Sequence, residues 1–444
     1  MSLQKKVHFI GIGGIGMSGL ARLMLQDGWV VSGSDKNSGA LVEALQQKGA
    51  IIYSNHLAEN VPSDALVIYT TAIKDDNPEW QKTLLLQLPK MHRSELLKML
   101  AEKKKMLAVT GTHGKTTTST MLTALLKEGG FDPSYAVGGI YLKEMLNADT
   151  GQGDYFIMEA DESDGSFLNY HPQGAIVTNI DDDHLDHFGS FENLEKAFSQ
   201  FMDQVTDPSC LFWCYDSVPL RHLYKKGVSY GFEKGAECLA THFRSQGFTS
   251  LLDISFEGKE YKDVELRMIG RPLCLNAVAV FGLGLRLGVP EDSIRKTLST
   301  FAGVKRRREH KPTKSLDYMV LDDYGHHPTE IRVTLKALKE AIGQRRLVVL
   351  FQPHRYSRTQ LCYESFKTAF QDAGLLVLTD IYAAGEKPLE GISSQNLALD
   401  ISAKHFSKPD LVVSLLPLLQ KGDVIVTMGA GDITEISDTL AGLL

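Results

Sequence analysis

Six residues in the first third of the chain have the types and spacing of a triphosphate-binding loop. Residues 111–116 read Gly-Thr-His-Gly-Lys-Thr, between an apolar run at 106–109 and a helical pattern that begins near Thr116. The backbone amides of such a loop can hold phosphate oxygens, Lys115 can reach the β- and γ-phosphates, and Thr116 can ligate Mg²⁺. The loop is two residues shorter than the general P-loop pattern, so a coincidental Gly-Lys-Thr turn is the alternative.

A second Gly-rich turn lies near the N-terminus. Residues 11–16 read Gly-Ile-Gly-Gly-Ile-Gly between a predicted strand (7–10) and a predicted helix (15–26). Glycines let backbone amides approach a diphosphate at a helix N-terminus, and Asp35, about 20 residues on, is placed to accept a ribose hydroxyl. The turn therefore predicts a second nucleotide site, with a merely close-packed turn as the alternative.

Carboxylates follow two further predicted strands. Residues 159–164 read Glu-Ala-Asp-Glu-Ser-Asp after an apolar run, and residues 178–187 bring more polar groups, including His184 and His187, after the next run. Carboxylate oxygens beside a triphosphate suit Mg²⁺, whereas a solvated acidic loop is the plainer interpretation. The two histidines have no further nitrogen or sulfur partners at zinc-site spacing, so zinc is not expected.

The last third of the chain carries two polar segments of the same kind. Residues 322–328 and 352–359 each end an apolar run and open a helical pattern. Arg355 and Arg358, three apart, are predicted to share one helical face and to clamp a carboxylate or phosphate. An exposed pair of surface charges is the alternative.

The elements that would position these residues alternate in type along the chain. Apolar β-branched runs alternate with helical patterns, which predicts parallel, doubly wound sheets. Two Gly-rich starts about 100 residues apart, and a third series of strands after the basic cluster at 305–308, predict three α/β domains. Their predicted bounds are 1–102 (Rossmann-like), 103–304 (P-loop ATPase-type) and 305–444 (Rossmann-like).

Composition limits the function classes. The 444 residues are 43% hydrophobic and 23% charged, with a net charge of −7, which argues against a nucleic-acid surface. Five cysteines form no framework spacing and no apolar run approaches a membrane span, so we expect a cytoplasmic protein without membrane insertion. The sequence gives no indication of oligomeric state.

Taken together in their order, residues 11–16, 111–116, 159–164, 322–328 and 352–355 resemble the Mur ligases over nearly the whole chain. The resemblance implies that the N-terminal domain holds UDP-N-acetylmuramate rather than a dinucleotide, that the centre holds ATP with Mg²⁺, and that the C-terminal domain brings L-alanine. It implies an ATP-dependent ligase that makes the first peptide bond of peptidoglycan through an acyl phosphate.

The resemblance also assigns roles residue by residue. ATP is expected at Gly111, Thr112, His113, Gly114, Lys115, Thr116, Thr117, Asn276 and Arg307. The UDP-sugar is expected at Gly11, Gly13, Gly14, Ile15, Gly16, Ser34, Asp35, Thr70, Thr71, Ala72, His92 and Arg93. The amino acid is expected at Tyr324, His326, His354, Arg355 and Arg358, and the metal at Thr116, Glu159 and His184. The expected catalytic residues are Lys115, Glu159, His184, His326, His354, Arg355 and Arg358.

One segment departs from the family pattern. Where Mur ligases usually read Gly-Arg-His-Asn, this chain reads Gly-Arg-Pro-Leu at 270–273, although Asn276 agrees. The missing His and Asn normally serve the adenine side. Three other functions stay open on sequence alone: a recycling ligase that adds a ready-made tripeptide to the same sugar nucleotide, a nicotinamide dehydrogenase, and a nucleotide-sensing binding protein that keeps the loops without turnover. His326 or His354, with a pKa near working pH, is a hypothetical proton acceptor for the amine.

Overall fold

The computed structural model describes residues 5–36, 39–182 and 185–444. Its strands form three sheets of five, ten and six strands. The chain divides into two compact units. The first unit comprises Met1–Ala240, Ile254–Glu260 and Asn276–Phe301, and the second comprises Thr241–Asp253, Tyr261–Leu275 and Ala302–Leu444.

The five-stranded sheet has the order β3-β2-β1-β4-β5, and its strands pair in parallel. Its elements are β1 (Lys6–Ile10), α1 (Ile15–Gln26), β2 (Val30–Ser34), α2 (Ala40–Gln47), β3 (Ile51–Tyr53), β4 (Leu66–Tyr69), α3 (Pro78–Leu85), β5 (Lys90–His92) and α4 (Arg93–Ala101). The order reverses at β1, which has β2 on one side and β4 on the other. Ligands of open α/β sheets bind at the carboxyl end of strands at such a switch point, where residues 11–16 lie.

The ten-stranded sheet has the order β15-β14-β13-β12-β11-β10-β6-β9-β7-β8. Its elements are β6 (Lys105–Thr110), α5 (Lys115–Glu128), β7 (Ser134–Tyr141), β8 (Leu146–Asp149), β9 (Tyr155–Glu159), β10 (Gly174–Val177), α6 (Leu185–Phe188), α7 (Phe191–Asp203), β11 (Leu211–Cys214), α8 (Val218–Leu223), β12 (Val228–Gly231), β13 (Cys238–Gln246), β14 (Thr249–Phe256), β15 (Lys259–Leu266), α9 (Arg271–Arg286) and α10 (Glu291–Thr300). Strand β6 pairs in parallel with β9 and β10, so the segments after these three strands meet at one edge.

The six-stranded sheet has the order β16-β17-β21-β18-β19-β20 and is parallel except for β16, which pairs antiparallel with β17. Its elements are β16 (Glu309–Lys311), β17 (Met319–Asp323), α11 (Pro328–Ile342), β18 (Leu347–Phe351), α12 (Tyr356–Leu361), α13 (Tyr363–Phe366), β19 (Leu375–Leu378), α14 (Ser394–Asp400), β20 (Lys404–His405), α15 (Leu411–Leu415), β21 (Val424–Met428) and α16 (Thr434–Leu443). The apolar run at 347–351 forms strand β18, which is buried on both faces. Leu347 and Val349 pack into one core cluster, and Val348 and Leu350 pack into the cluster on the other face.

These three mostly parallel sheets confirm the predicted α/β class. The exact domain bounds at 102 and 304 stay a prediction. Within the described ranges, no helix has both the length and the apolar character needed to cross a membrane.

Candidate active site

The predicted triphosphate loop joins β6 to α5 and is braced by the segment that follows β10. The backbone N–H groups of Thr112 and His113 donate to the carbonyl and side-chain oxygens of Asn179, at 3.0 and 2.9 Å. The Thr178 hydroxyl donates to the His113 carbonyl at 2.7 Å. Sequence reasoning expected polar groups at this sheet edge but gave Asn179 no role. These three hydrogen bonds hold the backbone of the loop in place.

Two glycines are required by the shape of the loop. Gly111 and Gly114 have φ of +123° and +85°, a region that side chains disfavour. A Cβ at Gly111 would collide with Thr178, and one at Gly114 would collide with the Asn276 amide. The structure thus brings Asn276, one of the expected ATP residues, against the triphosphate loop.

The Lys115 ammonium is buried and fully engaged. It donates to the carbonyls of Gly111 and Thr112, at 2.8 and 3.2 Å, and to the Glu162 carboxylate at 2.8 Å. Burial alone would lower the pKa of Lys115, but the carboxylates of Glu162 and Asp161 raise it above its ordinary value. Lys115 therefore carries a positive charge at the mouth of the loop. Glu162 is a partner that sequence reasoning did not single out individually.

Glu159, the last residue of β9, lies beside the first turn of α5. Its carboxylate accepts from the Thr116 hydroxyl at 3.0 Å and from the Gly138 backbone N–H at 2.8 Å. Burial raises the pKa of Glu159. A hydroxyl and a carboxylate in contact are hard oxygen donors of the kind that Mg²⁺ prefers, so Thr116 and Glu159 fit the expected ion.

His184, the third expected metal ligand, lies outside the described residues. In the part of the chain that the structure describes, no group of three or more His, Cys, Asp or Glu side chains is arranged to hold a metal by itself. The donor set accords with Mg²⁺, which usually takes one or two carboxylates and completes its shell with waters and phosphate oxygens.

The N-terminal Gly-rich turn is held by backbone and carboxylate contacts. The Gly11 and Ile12 N–H groups donate to the Ser34 carbonyl at 2.8 and 3.0 Å, and the Gly13 N–H donates to Asp35 at 2.9 Å. Asp35 thus supports the turn itself, and its expected contact with a ribose stays a prediction. The Asn147 amide of the β8 strand donates to the Ile15 carbonyl at 2.5 Å, which anchors the start of α1.

Ser34 proves to be a supporting residue whose side chain faces inward. It is fully buried, and its hydroxyl contacts the Glu79 carboxylate at 2.5 Å and the His56 ring at 2.7 Å. Glu79 is itself buried and also accepts from Asn60 at 2.9 Å. Both the hydroxyl and the carbonyl of Ser34 are thus engaged inside the protein, and its assignment to the UDP-sugar stays a prediction.

The other expected UDP-sugar residues follow the neighbouring strands β4 and β5. Thr70, Thr71 and Ala72 form a turn after β4 in which the Ala72 N–H donates to the Thr70 hydroxyl at 3.1 Å. His92 caps α4, where its ring accepts from the Ser94 N–H at 3.4 Å. Because parallel strands end at one edge, these residues share the carboxyl edge with the Gly-rich turn.

The second unit gathers the expected amino-acid residues into a chain of rings. The rings of Tyr324 and His326 lie 5.5 Å apart, those of His326 and His354 5.9 Å apart, and those of His354 and Tyr382 5.6 Å apart and stacked. Sequence reasoning missed Tyr382, which lies in an irregular loop after β19. Only the fold could bring it here, through backbone bonds to Pro353 and Arg355 at 2.9 and 2.8 Å.

Arg355 and Arg358 do not share a helical face, so that prediction is wrong. Arg355 precedes α12 as its N-cap residue and has φ of +69° and ψ of 142°. Arg358 lies within the helix and donates from Nη1 to His354 Nδ1 at 2.9 Å. The helix begins one residue after the first arginine, which leaves the Arg355 side chain exposed.

The two histidines are neutral at working pH, contrary to the expectation of a pKa near it. Burial lowers the pKa of His326 to about 4. Burial, together with the positive charge of Arg358, lowers that of His354 to about 4. His354 Nδ1 is occupied by Arg358, whereas His326 Nδ1 lies 3.1 Å from the Tyr324 carbonyl and must carry the proton. His326 Nε2 is consequently the ring nitrogen with a lone pair to offer.

Arg307, expected among the ATP residues, belongs to the second unit. Its guanidinium lies over the Tyr324 ring at 5.1 Å and 3.8 Å from the Glu330 carboxylate. The structure therefore groups Arg307 with Tyr324 and the other expected amino-acid residues of that unit. Its assignment to ATP stays a prediction.

The structure holds two Gly-rich loops in one unit and a cluster of aromatic rings and arginines in the other, and comparison with known proteins gives the class. Models of the Mur ligase family match three successive segments: its catalytic domain at 6–105, its middle domain at 109–284 and its glutamate ligase domain at 292–431. The chain belongs to the Mur ligase family and is an ATP-dependent ligase.

Similar proteins cover the chain from end to end. UDP-N-acetylmuramate--L-alanine ligase of Protochlamydia amoebophila is 46% identical, over 98% of both chains. A solved UDP-N-acetylmuramate-alanine ligase from Thermotoga maritima is 31% identical with a TM-score of 0.86, again over 98% of both chains. A murein peptide ligase from Psychrobacter arcticus is 24% identical with a TM-score of 0.71 over 98% of both, a likeness of fold.

Proposed function

We propose that this chain joins L-alanine to the lactyl carboxylate of UDP-N-acetylmuramate, with ATP converted to ADP and phosphate. The observation that carries the proposal is the 46% identity, over 98% of both chains, to a ligase named for those two substrates. In this role the chain makes the first peptide bond of peptidoglycan. The two phosphate-binding loops support it, because the reaction uses one sugar nucleotide and one triphosphate.

The recycling ligase is the second candidate and is less well supported. The murein peptide ligase at 24% identity argues for a common fold only. The L-alanine ligases are more similar in both sequence and structure. A nicotinamide dehydrogenase is disfavoured because it has no use for the loop at 111–116 or for the engaged Lys115.

The first chemical step brings two anions together. A lactyl carboxylate oxygen attacks the γ-phosphorus, the bond to the β,γ-bridging oxygen breaks, and an acyl phosphate and ADP result. At an effective dielectric constant of ~20, two like charges 4 Å apart repel by about 4 kcal/mol. Lys115 is held in position to reduce this repulsion once it exchanges Glu162 and the loop carbonyls for phosphate oxygens.

The second step forms the amide bond. The neutral amine of L-alanine attacks the acyl carbon, inorganic phosphate leaves, and the amine gives up a proton. His326 Nε2 is the ring nitrogen free to receive it, although a pKa of about 4 makes it a weak base. His354 orients Arg358 through Nδ1, and we propose that Arg358 and Arg355 hold carboxylate or phosphate groups.

Mg²⁺ is the proposed metal. Thr116 and Glu159 are the described residues that would hold it, and the ion supplies positive charge that offsets the charge of the triphosphate. His184 is proposed as a further ligand on family resemblance. We also propose that the protein acts in the cytoplasm, in keeping with five free and buried cysteines and with substrates that are intracellular nucleotides.

The proposed function is tested by ADP release. Release should require UDP-N-acetylmuramate and L-alanine together, and the Lys115→Ala variant should lose nearly all turnover while it still binds UDP-N-acetylmuramate. Lys196→Ala is the matched control, since Lys196 is 67% exposed in a surface pair with Glu192 and should keep full activity. ADP release without either substrate, or full turnover in Lys115→Ala, would refute the proposal.

A further inference from the structure

The guanidinium of Arg93 lies between the Gly-rich turn and the acidic segment that follows β9. Nη2 is 3.2 Å from the carboxylates of both Asp161 and Asp164. Nη1 adjoins the end of the Gly-rich turn, because a Cβ built on Gly16 would lie 3.8 Å from it. One side chain therefore contacts the acidic segment with one nitrogen and adjoins the start of α1 with the other.

The acidic segment continues directly to the triphosphate loop. Asp161 is next to Glu162, which pairs with Lys115 at 2.8 Å. Arg93 thus contacts Asp161 at 3.2 Å, and Lys115 contacts the next residue, Glu162, so neighbouring carboxylates of one segment pair with cations from different Gly-rich regions.

We propose that Arg93 is a positioning residue that couples the two nucleotide sites, so that each nucleotide binds more tightly when the other is present. The inference rests on the proposed function, because it takes a diphosphate at residues 11–16 and a triphosphate at 111–116. A guanidinium has five donors in a rigid fork, so Nη1 can meet a diphosphate while Nη2 keeps both carboxylates. The first nucleotide to bind restricts the motion of Arg93 and, through it, of the acidic segment. The second nucleotide then binds without the entropic cost of ordering these residues, so its affinity is higher.

The carboxylates offer variants that remove the contact with little change in shape. Asp161 and Asp164 each use Oδ1 to accept a backbone N–H, from Ser163 at 3.1 Å and Ser166 at 3.0 Å. Asparagine keeps that oxygen and replaces Oδ2 by an amide that cannot accept from Arg93. Asp164→Asn therefore removes one contact of Arg93 without changing Arg93 or any residue of the two Gly-rich loops.

The experiment is calorimetric titration of UDP-N-acetylmuramate with and without saturating Mg²⁺ and a non-hydrolysable ATP analogue. For the wild type we expect the sugar nucleotide to bind at least about five-fold tighter with the analogue, within the usual range for linked sites. In Asp164→Asn and Asp161→Asn, the affinities for the sugar nucleotide with and without the analogue should differ by less than about two-fold. The affinity of Asp164→Asn for UDP-N-acetylmuramate alone should stay near that of the wild type.

Arg22→Ala is the matched control. Arg22 also forms an arginine–aspartate pair, with Asp149 at 3.4 Å, but that pair joins α1 to β8 and adjoins neither phosphate-binding loop. Its coupling factor should equal that of the wild type. A wild-type factor near one, or an unchanged factor in both asparagine variants, overturns the inference even if the enzyme is active. Coupled binding without alanine-dependent ADP release would instead refute the proposed function.

Discussion

Single residues in both units are held by contacts that the reaction must exchange or preserve. Lys115 is held by two carbonyls and Glu162, so a triphosphate has to replace those partners. The two histidines differ in which lone pair is engaged: Nδ1 of His354 already accepts from Arg358, whereas His326 directs its proton from Nδ1 to the Tyr324 carbonyl and keeps the lone pair on Nε2. These assignments lead to an expectation about pH.

We expect neither histidine to give an inflection near pH 6.5 in kcat/KM. A lowered pKa of about 4 means that both rings are already neutral in the free enzyme above pH 5, and kcat/KM reports ionisations of the free enzyme and substrate. The profile should instead rise with pH as the alanine amine loses its proton. The measurement is kcat/KM for L-alanine from pH 5.5 to 9 in the wild type and in His326→Asn. An inflection near pH 6.5 that His326→Asn removes would contradict the assignment.

At the scale of elements, a buried polar network ties β1, β2 and α3 together beneath the Gly-rich turn. Glu79 at the start of α3 accepts from Ser34 and Asn60, and it lies 3.5 Å from Nε2 of the fully buried His8. Burial would raise the pKa of Glu79, but these hydrogen bonds lower it. The Glu79 carboxylate is therefore ionised, and it is the hydrogen-bond acceptor for the buried donors of Ser34 and Asn60.

We expect Glu79→Ala to lower the free energy of unfolding by about 3 kcal/mol or more, because removing one partner of a buried charged network leaves the others unsatisfied. Urea denaturation followed by far-UV circular dichroism measures it. Glu43→Ala, on the exposed side of α2, serves as the control and should change stability by no more than about 0.5 kcal/mol. A loss for Glu79→Ala as small as that of the control would show that the network adds no stability.

Elements with strong patterns could be predicted from sequence, and contacts between distant segments could not. The helix at 15–26 and the strands at 66–69 and 347–351 follow from apolar periodicity and agree with the structure. The antiparallel hairpin of β7 and β8 was missed, and with it the Asn147 contact to α1. Likewise, the phosphate-binding loops were visible as Gly-rich spacing, whereas Asn179, Glu162 and Tyr382 meet the site only through the fold.

The residues expected to bind the three ligands are divided between the two compact units. Residues expected for the sugar nucleotide and most of those expected for ATP belong to the first unit, and those expected for L-alanine to the second. The binding of each ligand can therefore be followed through the unit that carries its expected residues.

We expect hydrogen exchange to slow in separate segments for separate ligands, because a ligand that binds only the native state protects the region it orders. A non-hydrolysable ATP analogue with Mg²⁺ should protect residues 111–117 and 159–164. L-alanine, added with the analogue and the sugar nucleotide, should add protection at 322–327 and 352–358. Mass spectrometry of peptic peptides measures both, with α7 (Phe191–Asp203) as an internal reference. If L-alanine slowed exchange at 322–327 no more than it slows exchange in α7, the assignment of these residues to the amino acid would be contradicted.

The backbone of Arg355 has a further consequence. With φ of +69° and ψ of 142° it occupies a region that glycine accepts readily and other residues accept at a cost of about 1–3 kcal/mol. Arg355→Gly should therefore melt at an equal or higher temperature than the wild type while it loses most ligase activity; a clearly lower melting temperature would mean that the conformation is not strained. A laboratory selection for thermal tolerance alone would favour this replacement, so efforts to make the enzyme more robust need an activity screen at this position.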